Sequence, residues 1–408
     1  MSHLIDRFLA YVQIDTTSDF TSPSNPSTKK QFDLANILKQ ECEQLGLANI
    51  VLTDKCHLLA ELPANTDKTI PVIGFNAHMD TSPDFSGTNV DPRIIHYQGG
   101  EIVLNEETNV ILSPEQFPVM KDMVGLHLIV PDGTTLLGAD DKAGIAEIMT
   151  AIEYLVEHPE IEHGTIKICF TPDEEIGRGV HHFEYDLFGA DFAYTLDGGC
   201  LGTITYENFN AAHVEINIRG RSIHPGTAKN QMINALRVAM ELESLLPAAA
   251  RPEYTEKFEG FFHLTRMEGS VPLAHCEYIL RDHDMQKFQQ KKELMQKACD
   301  FLNAKYGEGT VECKLTDSYY NMREKIEPVM HIVENAIEAM RCLDIEPRIE
   351  PIRGGTDGAQ MSYQGLPTPN LFDGSYNGHG PYEFAVVEHM ELAVKTMLKI
   401  IERYTQAA

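Results

Sequence analysis

Several apolar runs in this chain end abruptly in acidic or imidazole residues. TIPVIGFNAHMD ends at His78 and Asp80, TIKICFTPDEE ends at Glu174 and Glu175, and DFAYTLDGG carries Asp197 just before two glycines. Such runs are typical of strands that are buried on both faces of a sheet. Segments with a helical spacing of apolar residues alternate with them. This alternation predicts an α/β layer built on a mostly parallel sheet.

The polar residues at the strand ends are expected to meet at one edge of that sheet. Ligand sites of open α/β sheets lie beyond the carboxyl ends of the strands. Carboxylates that gather there repel one another unless a cation lies among them. Taken alone, the HMD motif favours an ordinary surface histidine beside an aspartate. Taken together, oxygen and nitrogen donors without cysteine favour zinc, cobalt or manganese.

Two further motifs bear on this site. LLGADDKAGIAE places Asp140 and Asp141 just before a predicted helix over 142–158. One of the two aspartates can cap that helix, which leaves the other free to bind or bridge cations. SYNGHGPYEF places His379 in a glycine-rich loop. A lone histidine between glycines usually has no special role, but beside the other groups it becomes the natural fifth ligand.

The spacing of apolar residues changes near residue 208. From there to about residue 320, it predicts a strand, a helix, two strands split by a turn, a long polar-faced helix and a final strand. This order is the ferredoxin-like arrangement. We therefore predict a catalytic domain in two parts, 1–207 and 321–408, which is interrupted by an inserted α+β domain over 208–320.

Composition narrows the class of protein. The 408 residues carry a formal net charge of −28, from 33 basic and 61 acidic residues, which disfavours binding to nucleic acid. The first residues lack a secretory-signal pattern, and no apolar stretch approaches the roughly 18 residues of a membrane span. The eight cysteines form no CxxC pair and are typical of reduced thiols. We expect a cytoplasmic protein without a membrane partner.

Seven motifs, taken in order, resemble those of one family. HMDTS, GADDKAG, TPDEEIGRG, LDGG, RSIHPGTAKN, RGGTDG and NGHGPYE are similar to motifs of the di-zinc metallopeptidases that include aminoacylase and carboxypeptidase G. Each motif is weak alone, but the series runs through almost the whole chain. The resemblance is nearest to the tripeptide aminopeptidases of that family. It implies a di-metal catalytic domain with an inserted lid or dimerisation domain.

The resemblance also implies a metal site. Two Zn²⁺ ions per subunit, with Co²⁺ or Mn²⁺ as substitutes, would be held by His78, Asp140, Glu175, Asp197 and His379. Asp140 would bridge the two ions. His78 and Asp197 would complete one site. Glu175 and His379 would complete the other.

The same resemblance gives the two adjacent glutamates different roles. Glu175 would bind metal, whereas Glu174 would act as the general base that takes a proton from water and delivers it to the leaving amine. Asp80 would orient His78, as carboxylates near metal-binding histidines often do. Glu174 and Asp80 are therefore the predicted catalytic pair.

Substrate contacts are expected from six further residues, namely His224, Asn230, Arg281, Arg353, Gly355 and Thr356. His224 would stabilise the oxyanion of the tetrahedral intermediate, although a turn histidine before proline is the alternative. Arg281 and Arg353 would hold the substrate carboxylate through bidentate hydrogen bonds. Structural salt bridges are the alternative for both arginines.

The expected activity is removal of the N-terminal residue from tripeptides, with short peptides as partners and a homodimer as a possible assembly. Three alternatives keep the chemistry and change the substrate: a dipeptidase, a carboxypeptidase and an N-acyl-amino-acid amidohydrolase. An alternative of another class is a non-catalytic metal-binding protein on the same fold. Such a protein would be expected to lack a ligand or the base, and none is missing from this sequence.

Overall fold

The computed structural model describes residues 3–408. Its α-helices, in chain order, are α1 (Leu4–Val12), α2 (Gln31–Gln44), α3 (Ala139–Glu157), α4 (Tyr185–Phe188), α5 (Ala235–Leu245), α6 (Met285–Tyr306), α7 (Arg323–Ile326), α8 (His331–Arg341), α9 (Asp357–Tyr363) and α10 (Val387–Ala407). Its strands are β1 (Ala48–Leu52), β2 (Leu58–Leu62), β3 (Ile73–His78), β4 (Arg93–His96), β5 (Ile102–Asn105), β6 (Val110–Leu112), β7 (His127–Val130), β8 (Ile166–Thr171), β9 (Phe192–Leu196), β10 (Thr203–Thr205), β11 (Asn210–Arg219), β12 (Phe261–Gly269), β13 (Leu273–Asp282), β14 (Val311–Tyr319), β15 (Arg348–Ile349), β16 (Asn370–Leu371), β17 (Ser375–Tyr376) and β18 (Phe384–Val386).

The chain divides into two compact units. The first comprises the residues up to Tyr206 together with Glu324–Glu350 and Thr356–Ala408. The second comprises Glu207–Arg323 and Pro351–Gly355. The segment predicted as an insertion, 208–320, falls within the second unit. Its role as a lid or dimerisation domain stays a prediction.

A sheet of eight strands forms the frame of the first unit, in the order β1-β2-β8-β3-β9-β16-β10-β15. Its central strands β8, β3, β9 and β16 run parallel. Every residue of β3 is buried, as expected for a strand with neighbours on both sides and covered faces. The expected α/β fold with a mostly parallel sheet is confirmed.

Helix α3 lies against the centre of this sheet, on β3 and β9. A side chain at Gly144 would place its Cβ 2.2 Å from the backbone oxygen of Leu196, so only glycine permits this close approach. The prediction of a helix over 142–158 is close to the observed span. Asp140 and Asp141 have non-helical dihedral angles, so the regular helix begins after them.

The turn-rich segment between β3 and α3 forms small sheets of its own. A sheet in the order β17-β18-β7-β4 joins this segment to strands near the carboxyl end of the chain, and β5 pairs with β6 as a hairpin. A separate apolar cluster that includes Leu112, Met120 and Phe384 fills the space between them. This pairing fixes the loop that carries His379 near α3, because β17 and β18 flank that loop and both contact α3.

The second unit is a four-stranded antiparallel sheet in the order β12-β13-β11-β14, with α5 and α6 packed on it. Alternate residues of β13 are buried, which is the period expected of a strand with one covered face. Together with the connectivity this is the predicted ferredoxin-like arrangement. All eight cysteines are free thiols. Among residues 3–408, no helix is both long enough and apolar enough to cross a membrane.

Candidate metal centre

His78 is the last residue of β3 and its side chain is almost fully buried. Its Nδ1 lies 3.0 Å from the backbone oxygen of Asp80 and 3.4 Å from the Asp80 carboxylate. Nδ1 therefore donates to these oxygens, and a bound cation would replace the proton on Nε2. Nε2 lies 2.9 Å from Oδ1 of Asp140.

The two aspartates before the regular part of α3, Asp140 and Asp141, have different roles. Asp141 is fully buried; its Oδ1 accepts from the amide of Gly144 and its Oδ2 accepts from the amide of His78. It thus caps the regular part of the helix and ties it to β3. Asp140 is half-buried and directs its Oδ2 to Nε2 of His379 at 3.4 Å. One aspartate is structural and the other faces both histidines.

Glu175 and His379 form the other side of the cluster. Oε2 of Glu175 lies 2.9 Å from Nε2 of His379, and its Oε1 is buried without a hydrogen-bond partner. Burial and the nearby Asp140 carboxylate raise the pKa of Glu175 to about 7. The carboxylates of Asp140 and Glu175 raise the pKa of His379 to about 11.

Asp197 follows β9, the neighbour of β3 in the sheet. Oxygen atoms of Asp197 and Asp141 and a ring nitrogen of His78 lie within 4.8 Å of one another. Ligand atoms of His78, Asp140 and Glu175 form a second group within the same limit. Burial and the Asp140 carboxylate raise the pKa of Asp197 well above its ordinary value.

The adjacent Glu174 and Glu175 lie in a short turn whose backbone amides bind the Asp80 carboxylate. Oδ1 of Asp80 accepts from the amide of Glu174 at 2.9 Å, and Oδ2 accepts from the amide of Glu175 at 3.3 Å. Glu174 and the predicted ligand His379 both lie outside the two groups of candidate ligand atoms. Burial raises the pKa of Glu174 well above its ordinary value, and the Asp197 carboxylate raises it further.

The donor set fits two divalent ions. It offers imidazole nitrogens and carboxylate oxygens without a thiolate, as zinc, cobalt and manganese accept. Asp140 directs one oxygen at each histidine, so it would be placed between two ions bound beside them. Glu175 keeps a buried oxygen that no protein group satisfies. Unpaired buried carboxylates are costly, so a cation at this place would stabilise the site.

Three buried acids that sequence reasoning missed hold the loops of this site. Glu383 accepts from the amides of Leu137, Gly138 and Asp140. Asp173 accepts from Ser27 and Gln31 and so fixes the turn before Glu174. Asp373 accepts from Gly199 and Ser375 beside the Asp197 loop. Asp373 follows the apolar strand β16, so the strand-end rule could have found it.

His224 and Asn230 lie in the second unit, and both are exposed. Nδ1 of His224 accepts from the amide of Gly226 at 3.1 Å and caps the turn Pro225–Thr227. The neutral ring therefore carries its proton on Nε2, as a donor to an oxyanion requires. Asn230 has a φ of 59°, a left-handed conformation that asparagine tolerates.

The two predicted clamp arginines, also in the second unit, differ in how much of each guanidinium is free. Nη1 of Arg353 donates to the backbone oxygens of Lys257 and Glu259, and Nη2 donates to the backbone and side-chain oxygens of Thr255. Arg281 donates only through Nη1, to the backbone oxygen of Arg353, and its Nε is buried without a partner. Within residues 3–408 neither arginine forms an ion pair.

Gly355 and Thr356 have structural roles that the sequence did not indicate. A Cβ at Gly355 would lie 2.8 Å from the ring of Tyr319, so a side chain cannot be placed there without displacing that ring. Thr356 caps α9, because its Oγ1 accepts from the amide of Ala359. Their contacts with substrate stay predictions.

Comparison with known proteins shows which family this chain belongs to. Residues 130–403 match Peptidase family M20/M25/M40, which is more than half of the chain. The chain belongs to peptidase family M20/M25/M40. Two relatives, from Alkaliphilus oremlandii and Bacillus velezensis, are 58% and 55% identical over all of this chain and all of theirs, and both are named Peptidase T. This member of the M20 family is therefore a peptidase, and its substrates are peptides.

Solved structures share the fold of this M20 member. The PepT aminopeptidase of Bacillus cereus has a TM-score of 0.78 at 24% identity. The match covers 99% of this chain and 98% of that one. A tripeptidase of Staphylococcus aureus has a TM-score of 0.79 at 24% identity, with the same coverage. A dinuclear metal binding peptidase of the M20 family from Bacillus subtilis has a TM-score of 0.67 at 16% identity, covering 100% of this chain and 99% of its own.

Proposed function

We propose that the chain is a tripeptide aminopeptidase that works with two divalent ions, zinc being the expected metal. The observation that carries the proposal is the cluster around Asp140, which has one carboxylate oxygen directed at each of two histidines. The Peptidase T name of relatives at more than half identity supports the substrate class. The remaining predicted ligands are Glu175 and Asp197.

Two divalent ions held there would acidify a water molecule and polarise the scissile carbonyl. The chain itself supplies the proton carrier. Glu174 lies beside the predicted ligand Glu175, on a turn whose amides bind the Asp80 carboxylate. A carboxylate that lies near the ions but does not bind them can accept a proton from water and return it to the leaving amine.

The polar groups of the second unit would recognise the rest of the peptide. His224 carries a proton on its free nitrogen and so can donate to the oxyanion. We assign the carboxylate clamp to Arg281, because its guanidinium retains donors that the protein does not use. Arg353 is largely occupied by backbone oxygens, so it supports the clamp through its carbonyl. Asn230, Gly355 and Thr356 remain candidate contacts.

The experiment is a comparison of peptide lengths and end groups with the metal-loaded protein. Free tripeptides should be cleaved faster than dipeptides or tetrapeptides, and only the N-terminal residue should be released. Blocking the N-terminal amine should abolish turnover, whereas amidation of the carboxyl end should raise KM through loss of the Arg281 contact. Equal turnover of blocked peptides would favour an N-acyl-amino-acid amidohydrolase and contradict the proposal.

The remaining candidate activities give different product patterns in the same assay. A dipeptidase would prefer dipeptides, and a carboxypeptidase would release the C-terminal residue. Absence of turnover with any peptide would favour a non-catalytic protein on this fold. A homodimer and a cytoplasmic location remain parts of the proposal that this assay leaves to other measurements.

A further inference from the structure

Glu383 is a buried carboxylate, only 1% exposed, that accepts hydrogen bonds from three backbone amides. Its Oε2 accepts from the amides of Leu137 and Gly138, both at 2.8 Å. Its Oε1 accepts from the amide of Asp140 at 3.0 Å. Successive amides that converge on one anion in this way form a backbone nest.

The nest fixes the orientation of the turn before α3. Gly138 has a φ of 79°, a left-handed conformation that glycine adopts without strain, and this turns its amide toward Glu383. The amide of Asp140 also points at Glu383, while the Asp140 side chain lies 2.9 Å from His78 and 3.4 Å from His379. The backbone and the side chain of this residue are thus held from different sides.

Glu383 also belongs to the second loop of the site. It lies four residues after His379, directly before β18, and its amide donates to the oxygen of Gly380. The side chain therefore joins the loop that carries His379 to the turn that carries Asp140. Both of these residues face the same candidate cation site.

We infer that Glu383 is a positioning residue, which locks the bridging carboxylate of Asp140 in place by binding the amides of its turn and tying that turn to the His379 loop. It touches neither substrate nor a candidate cation directly. The expected effect on metal affinity rests on the proposed function. The lock itself does not, because it is a property of the metal-free protein.

The variant Glu383→Gln tests the lock with almost no change of shape. A carboxylate offers an acceptor on each side, whereas an amide offers one oxygen and one NH₂ group. In either orientation of the glutamine, its NH₂ group would face a backbone N–H, so at least one of the three bonds is lost. Glu383→Asp keeps the charge but is one methylene shorter, so it also fails to reach all three amides.

Two measurements follow. In metal-free protein, hydrogen exchange at the amides of residues 137–140 should be faster in E383Q than in wild type. Affinity for Zn²⁺, measured by competition with a chelator, should fall by about 10- to 100-fold, as is usual when a group that supports a metal ligand is removed. The matched control is Glu153→Gln, on the helix α3 that follows this turn, whose carboxylate binds Arg7 instead. It should leave both quantities unchanged.

A folded E383Q protein with wild-type Zn²⁺ affinity and wild-type amide protection would overturn the inference. Should E383Q not fold, E383D is measured by the same two criteria. A wild-type protein that binds no Zn²⁺ would refute the proposed function, and the exchange measurement would still decide whether Glu383 holds the turn. Wild-type binding that E383Q and E383D leave unaltered would refute the lock alone.

Discussion

Acidic side chains of the second unit and those of the candidate metal centre are neutralised in different ways. In the second unit, the buried carboxylate of Asp282 has Lys291 at 2.7 Å, and Glu241 has Lys305 as its ion-pair partner. At the carboxyl edge of the eight-stranded sheet, Asp140 and Glu175 have only histidines as ion-pair partners among residues 3–408. These two acids of the second unit thus each have a lysine from the chain, and those of the site do not.

In the described part of the chain, no lysine pairs with these two acids of the site, so a cation that neutralises them must come from outside the protein. An unpaired buried charge costs several kcal/mol, so a fold tolerates a cluster of them only where something compensates. Protons can do so in the metal-free protein, which is the physical reason for the raised pKa values of Glu174, Glu175 and Asp197. Divalent ions can do so in the loaded protein.

The largest effect is expected from Glu174→Gln. Removing a general base typically costs about 10²- to 10⁴-fold in rate. Because Glu174 is proposed as the base and not as a ligand, the variant should still bind the same number of ions as wild type. The checks are kcat on a tripeptide and metal content after dialysis. A loss of one ion would show that Glu174 is a ligand, and would contradict its assignment as the base.

A large effect on stability, but not on metal binding, is expected from Lys291→Met. The variant leaves the buried Asp282 carboxylate without its cation, which typically costs about 3–5 kcal/mol. Denaturant unfolding measures the loss, and chelator competition measures Zn²⁺ affinity. Reduced Zn²⁺ affinity with unchanged stability would contradict the distinction between acids that a lysine of the chain neutralises and acids that need a bound metal ion.

The stabilisation by Zn²⁺ should grow as pH rises from about 4.5 to about 7. Glu175 has a pKa raised from 4.5 to about 7 in the metal-free fold, so between these values the folded state binds more protons than the unfolded state. Stability of the metal-free protein then falls with rising pH, by about 1.4 kcal/mol per pH unit for each extra proton.

The measured quantity is the difference in unfolding free energy between loaded and metal-free protein at each pH. Titrating groups that have the same pKa in the loaded and the metal-free protein cancel in this difference. The same pH dependence can be described as competition between protons and Zn²⁺ for the Glu175 carboxylate. A difference that stays constant over this range would contradict the account.

The smallest effect is expected from Lys305→Met. The ion pair of Lys305 with Glu241 lies at the surface, with 46% and 24% of the two side chains exposed. Exposed pairs contribute about 0–1 kcal/mol. The variant should therefore unfold within about 1 kcal/mol of wild type. A loss of unfolding free energy as large as that of Lys291→Met would mean that burial does not explain the difference in stability between the two ion pairs.

The fold was predictable because apolar periodicity is a local signal. The fully buried β3, the alternating β13 and helix α3 each appear in the sequence as patterns of apolar residues. The strand-end rule likewise indicated His78 and Asp197, since parallel strands carry their end residues to one edge.

Long-range hydrogen bonds could not be predicted in this way. Glu383 binds amides more than 240 residues away, and no local pattern separates it from an ordinary surface glutamate. The same holds for Arg353, whose guanidinium is used by backbone oxygens of a distant loop. The motif showed an arginine, but only the structure showed that its donors are taken.

The central claim is that the acidic cluster around Asp140 is completed by two external cations. The direct test is the number of Zn²⁺ ions that metal-free protein binds at equilibrium, in wild type and in Asp140→Asn. The account predicts two ions per chain in wild type, and weakened binding of both in the variant because Asp140 faces both histidines. A wild type that binds fewer than two ions, or an Asp140→Asn variant that binds two with unchanged affinity, would contradict it.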